Sequence, residues 1–288
     1  MKPKIGLALG SGSARGWAHI GVIRALEEAG IRPDVLCGCS VGALVGAAYA
    51  DGDLAALEQW VSGLAWKDVV GLLDVSLSGG LLKGEKLVAF FERHFVDKDF
   101  SALPLPFACV ATDLANGREV WLRDGSVAAA VRASIALPGL FAPVNRDGRL
   151  LVDGGLVNPV PVSLCRALGA DVVIAVDLGS DIVGSSLRRG SGGEAGHGAD
   201  WSDRLLASLG IKRDHDAPSL TGVLSTSIQI MQTRIARSRL AGEPADVLVA
   251  PRLAHLGLMD FHRAAEVIPE GAAAVKRMLP AIEYALSP

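Results

Sequence analysis

Short apolar runs alternate with helix-like patterns over the first 180 residues of the chain. Apolar runs at Lys4–Leu9, Phe107–Thr112 and Asp171–Asp177 predict buried strands. After the first run, apolar residues recur at helical spacing over Gly16–Ala29, and Gly30 stands just past the predicted helix end. Strands that alternate with helices are typical of an α/β domain with a largely parallel sheet.

The remaining predicted elements continue this alternation. Strands are predicted at Val35–Cys37, Glu119–Leu122, Leu150–Val152 and Ala245–Ala250, and helices at Val41–Ala50, Asp53–Leu64, Val127–Ala133, Pro161–Leu168, Thr221–Leu240 and Ala264–Leu286. Asn116-Gly117 is a strong signal for a hairpin turn, and Asn145–Gly148 predicts a turn before the next strand.

The long predicted helix at Thr221–Leu240 has a stripe of four apolar residues: Leu224, Ile228, Met231 and Ile235. We expect this stripe to pack against the core, and we expect a solvated basic face that holds Arg234, Arg237 and Arg239. The alternative is that the basic end of this helix contacts a membrane surface.

Composition changes between the α/β pattern and this long helix. Gly184–Asp200 is rich in Gly, Ser and charged residues, which is typical of a flexible loop or linker. We therefore expect an α/β domain at residues 4–180, a flexible loop or linker at 184–200, and a helical C-terminal extension at 201–288. We expect this extension to pack on the same domain.

Composition and charge exclude several classes of protein. Half of the 288 residues are apolar and a fifth are charged, which excludes a disordered chain. Lys and Arg number 28 against 31 Asp and Glu, so the net charge of −3 gives no global attraction to nucleic acid. The mean hydropathy of +0.36 is high, but the clearest apolar runs, such as Val41–Ala50, are much shorter than the ~20 residues that span a bilayer.

The N-terminus and the cysteines indicate the compartment. The N-terminus is basic, but its apolar stretch Ile5–Leu9 is shorter than the roughly 7–15 residues of a signal-peptide core. Four cysteines lie in or beside apolar segments and lack the spacing of zinc ligands: Cys37, Cys39, Cys109 and Cys165. We expect a cytoplasmic protein with reduced core cysteines and no metal site.

The most informative stretch is Gly38-Cys39-Ser40-Val41-Gly42, a G-x-S-x-G pattern between a predicted strand and a predicted helix. A nucleophilic serine needs a sharp strand-to-helix turn, and side chains two residues before and after it would collide there. The following helix directs its N-terminal N–H groups toward developing negative charge. The pattern favours Ser40 as a nucleophile with Gly38 and Gly42 as the glycines of its turn. The alternative is a glycine-rich turn with a serine N-cap.

A loop of small residues joins the first strand to the first helix: Gly10-Ser11-Gly12-Ser13-Ala14-Arg15-Gly16. Such a loop lets the backbone approach a ligand, and its successive N–H groups can bind an anion. A dinucleotide site is disfavoured because Arg15 stands where the third glycine of G-x-G-x-x-G belongs, and because no acid ends the second strand. An oxyanion hole is favoured by the serine turn about 25 residues downstream. The third interpretation is a structural loop.

A third stretch, Leu151-Val152-Asp153-Gly154-Gly155, has an acid directly after an apolar strand. The two glycines, Gly154 and Gly155, leave the carboxylate open to approach. The residues alone do not pair Asp153 with Ser40, and an exposed turn aspartate is the ordinary interpretation.

Together the three stretches resemble motifs of the patatin-like phospholipases, most closely of their bacterial RssA-like branch. The family motif G-G-G-x-R-G is similar to Ser11–Gly16, its nucleophile elbow to Gly38–Gly42, and its Asp-Gly-Gly/Ala motif to Asp153–Gly155. Two further segments, Arg132–Gly139 and Asn158–Pro161, also resemble family elements. The resemblance covers residues 4 to about 178 in order and spacing.

The resemblance implies a three-layer α/β fold in which helices flank a central, mostly parallel sheet, with residues 4–180 as the catalytic domain. It implies a serine hydrolase that cleaves acyl esters of lipids, of the phospholipase A, lysophospholipase or esterase type. Ser40 is then the nucleophile, Asp153 the general base, and the loop Gly10–Gly16, with Arg15, the oxyanion hole. The resemblance implies a lipid or acyl-ester substrate and no cofactor. Transient contact of the protein with a membrane surface is compatible with such a substrate.

The sequence departs from the family motif at Ser11 and Ser13, which stand where the motif has glycine. Serine keeps its backbone N–H, but at a position with positive φ it costs about 1 kcal/mol or more. This departure keeps a second function open, namely a lipid- or acyl-binding regulatory protein with weak or no turnover. The sequence carries no signal for the oligomeric state.

A catalytic histidine is not expected. None of the six histidines has a motif around it: His19, His94, His197, His215, His255 and His262. We expect His19 to pack or form a hydrogen bond locally on the first helix. Asp113 and Asp177 each end an apolar strand, and we expect them to be capping or turn residues.

Overall fold

The computed structural model describes residues 2–68, 98–181 and 220–287. Their strands form one sheet: β1 (Ile5–Leu9), β2 (Val35–Cys39), β3 (Phe107–Asp113), β4 (Glu119–Leu122), β5 (Val144–Arg146), β6 (Arg149–Asp153), β7 (Val172–Val176) and β8 (Val247–Val249). The order is β5-β6-β3-β2-β1-β7-β8, with β4 also paired to β3. Strands β3, β2, β1, β7 and β8 run parallel, and β4, β5 and β6 pair antiparallel.

Helices cover both faces of this sheet. They are α1 (Ala18–Glu28), α2 (Val41–Asp51), α3 (Leu54–Ser62), α4 (Val127–Ser134), α5 (Val162–Ala167), α6 (Leu220–Gly242) and α7 (Ala264–Leu286). Apolar residues of α1, α2 and α7 pack on one face, around Leu7 and Ile174, and those of α5 and α6 pack on the other, around Ala8 and Val173. Adjacent strand residues point to opposite faces, so both faces are buried. The predicted three-layer α/β fold with a mostly parallel sheet is confirmed.

Strands β2 and β6 lie along the same edge of β3, and this arrangement brings distant parts of the chain together. β4 lies along the other edge, opposite residues 109–112, while β2 pairs with residues 107–110. β6 pairs with residues 111–113, so it continues along the edge where β2 stops. The register sets Cys39 against Val110 and Asp153 against Ala111. Ser40, the residue after β2, therefore lies beside Asp153 at the end of β6.

The described residues after 219 belong to the same sheet and core. β8 extends the sheet beside β7, and α7 packs on α1, where Gly21 and Gly271 allow the two helix backbones to approach closely. The division into a domain at 4–180 and an extension at 201–288 stays a prediction. The linker predicted at 184–200 lies outside the described residues.

Several predicted boundaries differ from the structure by one or two residues, and two of these differences have a clear local cause. Asn145–Gly148 does not form one turn, because Val144–Arg146 is strand β5 and only Asp147-Gly148 turns. Both turn residues have positive φ, 53° and 76°, as a two-residue hairpin loop with the twist of its strands requires. The helix predicted from Gly16 begins at Ala18, because Ser13–Trp17 forms a 3₁₀ turn first.

The prediction that four apolar residues of α6 pack against the core is wrong for two of them. Leu224 and Met231 are 44% and 48% exposed, whereas Ile228 is buried. The other buried side chains described on this helix are Thr233 and Ala236. The inner face of α6 therefore combines one large apolar side chain, Ile228, with the smaller Thr233 and Ala236. The helix lies over the candidate site described below.

The four cysteines are buried and free, as predicted. In the three described ranges, no helix has the length and apolar composition of a membrane span. The same ranges hold no group of three or more His, Cys, Asp or Glu residues arranged to bind a metal ion.

Candidate active site

Ser40 stands on a sharp turn between β2 and α2. Its φ of 55° and ψ of −124° cost a non-glycine residue on the order of 1–3 kcal/mol. A Cβ on Gly38 would lie 2.5 Å from the Cα of Ala43, and one on Gly42 would collide with the carbonyl oxygen of Leu9. Close backbone approach therefore requires both glycines, and the turn holds Ser40 in its strained conformation.

The Ser40 hydroxyl is hydrogen-bonded to Asp153. Ser40 Oγ donates to Asp153 Oδ2 at 2.6 Å, and the Gly155 N–H donates to the other carboxylate oxygen at 2.7 Å. Asp153 is fully buried, and Thr112 Oγ1 donates to its carbonyl oxygen at 2.8 Å. These contacts fix the carboxylate with one oxygen on the serine.

Burial changes the acid–base chemistry of Asp153. Its pKa rises to about 6 because burial disfavours the charged form, while the hydrogen bonds from Ser40 and Gly155 partly oppose this rise. An ordinary aspartate, with a pKa near 3.9, is a feeble base. The raised pKa makes Asp153 a stronger base and still leaves it mostly ionised at pH 7.

Ser134, at the end of α4, connects the serine turn to the sheet. Its Oγ accepts the Ser40 N–H at 2.9 Å and donates to the Val110 carbonyl oxygen at 2.7 Å. Two residues further on, the Ala136 carbonyl oxygen accepts the Asp153 N–H at 2.9 Å. One segment thus positions both members of the Ser40–Asp153 pair. A lone serine at a helix end has no sequence pattern that identifies this role.

The loop after β1 packs on the serine turn, since Gly16 lies directly against Val41. Four backbone N–H groups of the loop have carbonyl acceptors: those of Gly10, Ser11, Ala14 and Arg15. The N–H groups of Gly12 and Ser13 donate to no backbone oxygen in the described part of the chain. An oxyanion hole needs N–H groups that are free to donate, so Gly12 and Ser13 are its candidates in this loop.

The backbone at these two loop residues is tightly constrained. A Cβ on Gly12 would lie 2.7 Å from Leu178 Cδ1, which leaves no room for a side chain. Ser13 has a φ of 52°, and its Oγ donates to the Leu258 carbonyl oxygen at 2.6 Å. Of the two serines that stand where the family motif has glycine, Ser13 carries the backbone strain and Ser11 does not.

Arg15, which the resemblance assigns to the oxyanion hole, has its guanidinium bonded elsewhere. The buried side chain donates to the carbonyl oxygens of Leu253 and Leu256, in the segment after β8. Burial lowers the pKa of Arg15, and the charges of Asp181 and Asp260 oppose this. These contacts tie the loop to the C-terminal part of the chain, and a direct role in the hole stays a prediction.

His19 is a local hydrogen-bonding residue, as predicted. It is fully buried, and its Nε2 donates to the Gly10 carbonyl oxygen at 2.8 Å. Burial lowers the pKa of His19 to about 4, so the ring is neutral at pH 7. His255 and His262 contact other segments, so no described histidine touches the Ser40–Asp153 pair. Three histidines lie outside the described residues: His94, His197 and His215.

Asp113 and Asp177 are turn residues, as predicted. Asp113 Oδ1 accepts the Ala115 N–H at 2.9 Å, and Asp177 Oδ1 accepts the Gly179 N–H at 2.9 Å. Each carboxylate closes the turn that follows its own strand.

Helix α6 borders the site, which the sequence did not indicate. Gln232 Nε2 occupies the space where a Cβ on Gly155 would stand. Leu224 reaches Gly139, at the end of the segment that begins near Ser134, where a Cβ would lie 2.6 Å from Leu224 Cδ2. A helix expected to cover the core therefore lines the rim of the candidate site.

Comparison with known proteins places this site in a family. The family model for patatin-like phospholipase matches residues 7–166, which include all three motifs. An NTE family protein of Mycobacterium tuberculosis is 34% identical over 98% of this chain and 92% of that protein. Lysophospholipase nte1 of Emericella nidulans is 37% identical over 61% of this chain and 12% of its own length. VipD from Legionella pneumophila shares the fold, with a TM-score of 0.60 at 16% identity over 98% of this chain and 67% of that chain.

The family match covers more than half of the chain. The chain belongs to the patatin-like phospholipase family, and it is by class a lipid ester hydrolase. The Mycobacterium tuberculosis relative, which matches over 92% of its length, carries an NTE family name. Assignment to the RssA-like branch therefore stays a prediction.

Proposed function

We propose that this protein hydrolyses acyl ester bonds of lipids with Ser40 as nucleophile and Asp153 as general base. The observation that carries the proposal is the 2.6 Å hydrogen bond from Ser40 Oγ to a fully buried carboxylate. An activated serine needs a base within this reach. The Gly155 N–H orients the base here, in the place that a third side chain takes in a triad.

In the acylation step, Asp153 takes the Ser40 proton as Oγ attacks the carbonyl carbon of the ester. The new Oγ–C bond forms, and the carbonyl oxygen takes the negative charge of the tetrahedral intermediate. Collapse of the intermediate breaks the ester C–O bond, and the departing alcohol oxygen takes the proton from Asp153. The products of this step are an acyl-serine at Ser40 and a deacylated lipid.

In the deacylation step, Asp153 acts as base a second time. It takes a proton from water as the water oxygen attacks the acyl carbon. The second intermediate then releases Ser40 Oγ, which recovers its proton from Asp153. The fatty acid leaves, and the serine is ready for another turnover.

We assign stabilisation of the oxyanion to the N–H groups of Gly12 and Ser13. Each such donor is worth on the order of 10²–10³ in kcat. The N-terminus of α2, directly after Ser40, adds the positive end of its helix dipole. The hydrogen bond from His19 to Gly10 and the buried Arg15 hold the loop in this position.

The substrate class extends from the family to this chain. One relative is named a lysophospholipase, and we propose activity of the phospholipase A, lysophospholipase or esterase type. The second candidate, a lipid- or acyl-binding regulatory protein with weak turnover, is favoured by one observation. Ser13 has a φ of 52° in the proposed hole, and this strain opposes a well-aligned donor.

Hydrolysis of 4-nitrophenyl butyrate and of lysophosphatidylcholine tests the proposal on wild type, Ser40→Ala, Asp153→Asn and Asp113→Asn. We expect Ser40→Ala to be inactive and Asp153→Asn to lose at least ~10² in rate. Asp113→Asn is the matched control, since Asp113 also ends a strand but bonds only to its own turn. The wild-type rate should rise with pH through about 6, as Asp153 ionises.

Two outcomes would change the assignment. Native activity in Asp153→Asn would show that another group is the base. Lipid binding by folded wild type without hydrolysis of either ester would favour the regulatory function.

A further inference from the structure

The outward face of α6 carries large apolar side chains. Val223, Leu224, Ile230 and Met231 are each between 44% and 50% exposed. Residues seven or eight positions apart fall on one side of an α-helix, so these four form one surface, here called the outer apolar face. Large apolar residues grouped in this way mark interaction sites.

The charge of α6 is positive only. Its sequence contains no Asp or Glu, and Arg234 continues the outer apolar face by one turn. Arg234 is exposed and forms no ion pair with another described residue, whereas Arg239 is bonded to Glu119. Apolar side chains beside an exposed cation, on a helix without carboxylates, suit the headgroup region of an anionic lipid layer.

The opposite face of α6 borders the candidate site. On this opposite face Gln232 packs on Gly155, two residues from Asp153, and at the margin of the outer apolar face Leu224 reaches Gly139. A surface that touches the outer apolar face is therefore separated from the site by about one helix diameter, roughly 10 Å. A lipid that leaves such a surface crosses only the rim formed by this helix.

We propose that the outer apolar face of α6 docks on an anionic phospholipid surface and admits lipid to Ser40 from it. The four apolar side chains enter the boundary between headgroups and acyl chains, and Arg234 binds lipid phosphate. The inference rests on the proposed function, because a membrane lipid must leave its bilayer before Ser40 can reach its ester. We expected the apolar stripe of this helix to pack inward. In this proposal two residues of that stripe, Leu224 and Met231, instead contact lipid.

Sedimentation with vesicles of equimolar phosphatidylcholine and phosphatidylglycerol tests docking directly. We compare wild type with the double variant Ile230→Glu, Met231→Glu, and with Tyr284→Glu as matched control. Tyr284 lies on α7 and is 84% exposed. Glutamate is a good helix former, and melting temperatures check that each variant folds. We expect the double variant to bind at least ~10-fold more weakly, because two apolar side chains no longer enter the lipid, and the control to bind as wild type does.

Two further measurements test the role of charge in vesicle binding and the effect of binding on hydrolysis. Binding of wild type should weaken as salt is raised, and Arg234→Glu should remove most of this dependence. Hydrolysis of vesicle phospholipid by the double variant should fall in parallel with its binding. Its hydrolysis of soluble 4-nitrophenyl butyrate should change far less.

The outcomes separate this inference from the proposed function. If wild type binds vesicles through this face but hydrolyses neither ester, the docking surface stands and the proposed function fails. If the double variant binds vesicles as wild type does, or wild type binds none, the docking proposal is wrong whatever the esterase activity. A dimer that the double variant converts to a monomer would make this face an interface between copies, and would also overturn it.

Discussion

Asp153→Asn should stabilise the folded protein at neutral pH while it removes hydrolysis. Burial raises the pKa of Asp153 to about 6, so the ionised form is less favourable in the fold than in the unfolded chain. The reaction needs this ionised form. Asparagine keeps the shape of the side chain and an oxygen for the Gly155 N–H, but it carries no charge to bury.

The size of the expected stabilisation follows from the shift in the pKa of Asp153. A rise from 3.8 to about 6 corresponds to at most about 3 kcal/mol. Between these values the folded state binds more protons than the unfolded state, so the free energy of unfolding falls as pH rises through this window. The penalty is absent below about pH 4 and complete above about pH 6. In a protein of this size, about 3 kcal/mol corresponds to roughly 5–10 °C in melting temperature.

Melting temperatures of wild type and Asp153→Asn, measured from pH 4 to pH 8, check the predicted stabilisation and its dependence on pH. His19 acts in the opposite direction over the same range, because burial lowers its pKa from 6.5 to about 4. Its contribution to stability is complete above about pH 6.5 and is lost as pH falls toward 4. The wild-type curve alone therefore does not isolate Asp153, but the difference between the two proteins does. That difference should be close to zero at pH 4 and greatest above pH 6.

Asp147→Asn is the control for this measurement. The Asp147 side chain is 89% exposed, and asparagine tolerates its positive φ, so no gain that depends on pH is expected. A difference between wild type and Asp153→Asn that does not vary with pH would refute the reasoning. An asparagine variant less stable than wild type at pH 7.5 would refute it as well.

Further predictions concern the oxyanion loop and the residues around the pair. Gly12→Val should lower kcat by about 10²–10³ with little change in KM in steady-state hydrolysis, because its N–H is turned away from the oxyanion. Ser13→Gly relieves a φ of 52° but loses one hydrogen bond, so its melting temperature should change little and hydrolysis should be equal or faster. Ser134→Ala should destabilise by about 1–3 kcal/mol and lower kcat, because the Ser40 N–H and the Val110 carbonyl lose their partner. No single His→Ala change should reduce hydrolysis as far as Asp153→Asn does; a histidine that proves equally essential would mean a triad.

The turn that holds Ser40 could be predicted from the sequence because all its requirements are local. An apolar strand, two glycines and a small-residue helix follow one another within Val35–Asp51. The structure gives the reason for both glycines, since backbone atoms of neighbouring segments fill the space that a Cβ would need. Local pattern and local sterics point to one arrangement here.

The pairing of Ser40 with Asp153 could not be derived from the residues, and only the family resemblance implied it. The two positions are 113 residues apart. They meet because β6 takes the edge of β3 where β2 stops, which is a matter of register between distant strands. The contact of Ser134 with the Ser40 N–H depends on the same long-range packing, and nothing in the local sequence indicates it.

The extent of α6 was predictable, but its orientation was not. An apolar stripe indicates the buried face when a helix packs on an apolar core. The inner face of α6 buries only Ile228 of that stripe, together with Thr233 and Ala236, and it meets Gly155 through Gln232. A helix at the rim of a polar site can therefore leave apolar residues such as Met231 outside.

Labelling with a fluorophosphonate, followed by mass spectrometry of the peptides, tests the central claim most directly. The probe reacts only with an activated serine, so it reports on the Ser40–Asp153 pair without knowledge of the natural lipid. We predict one modification, on Ser40, that disappears in folded Ser40→Ala and forms far more slowly in Asp153→Asn. Labelling of another serine that persists in Ser40→Ala, or no labelling of folded wild type, would contradict the account.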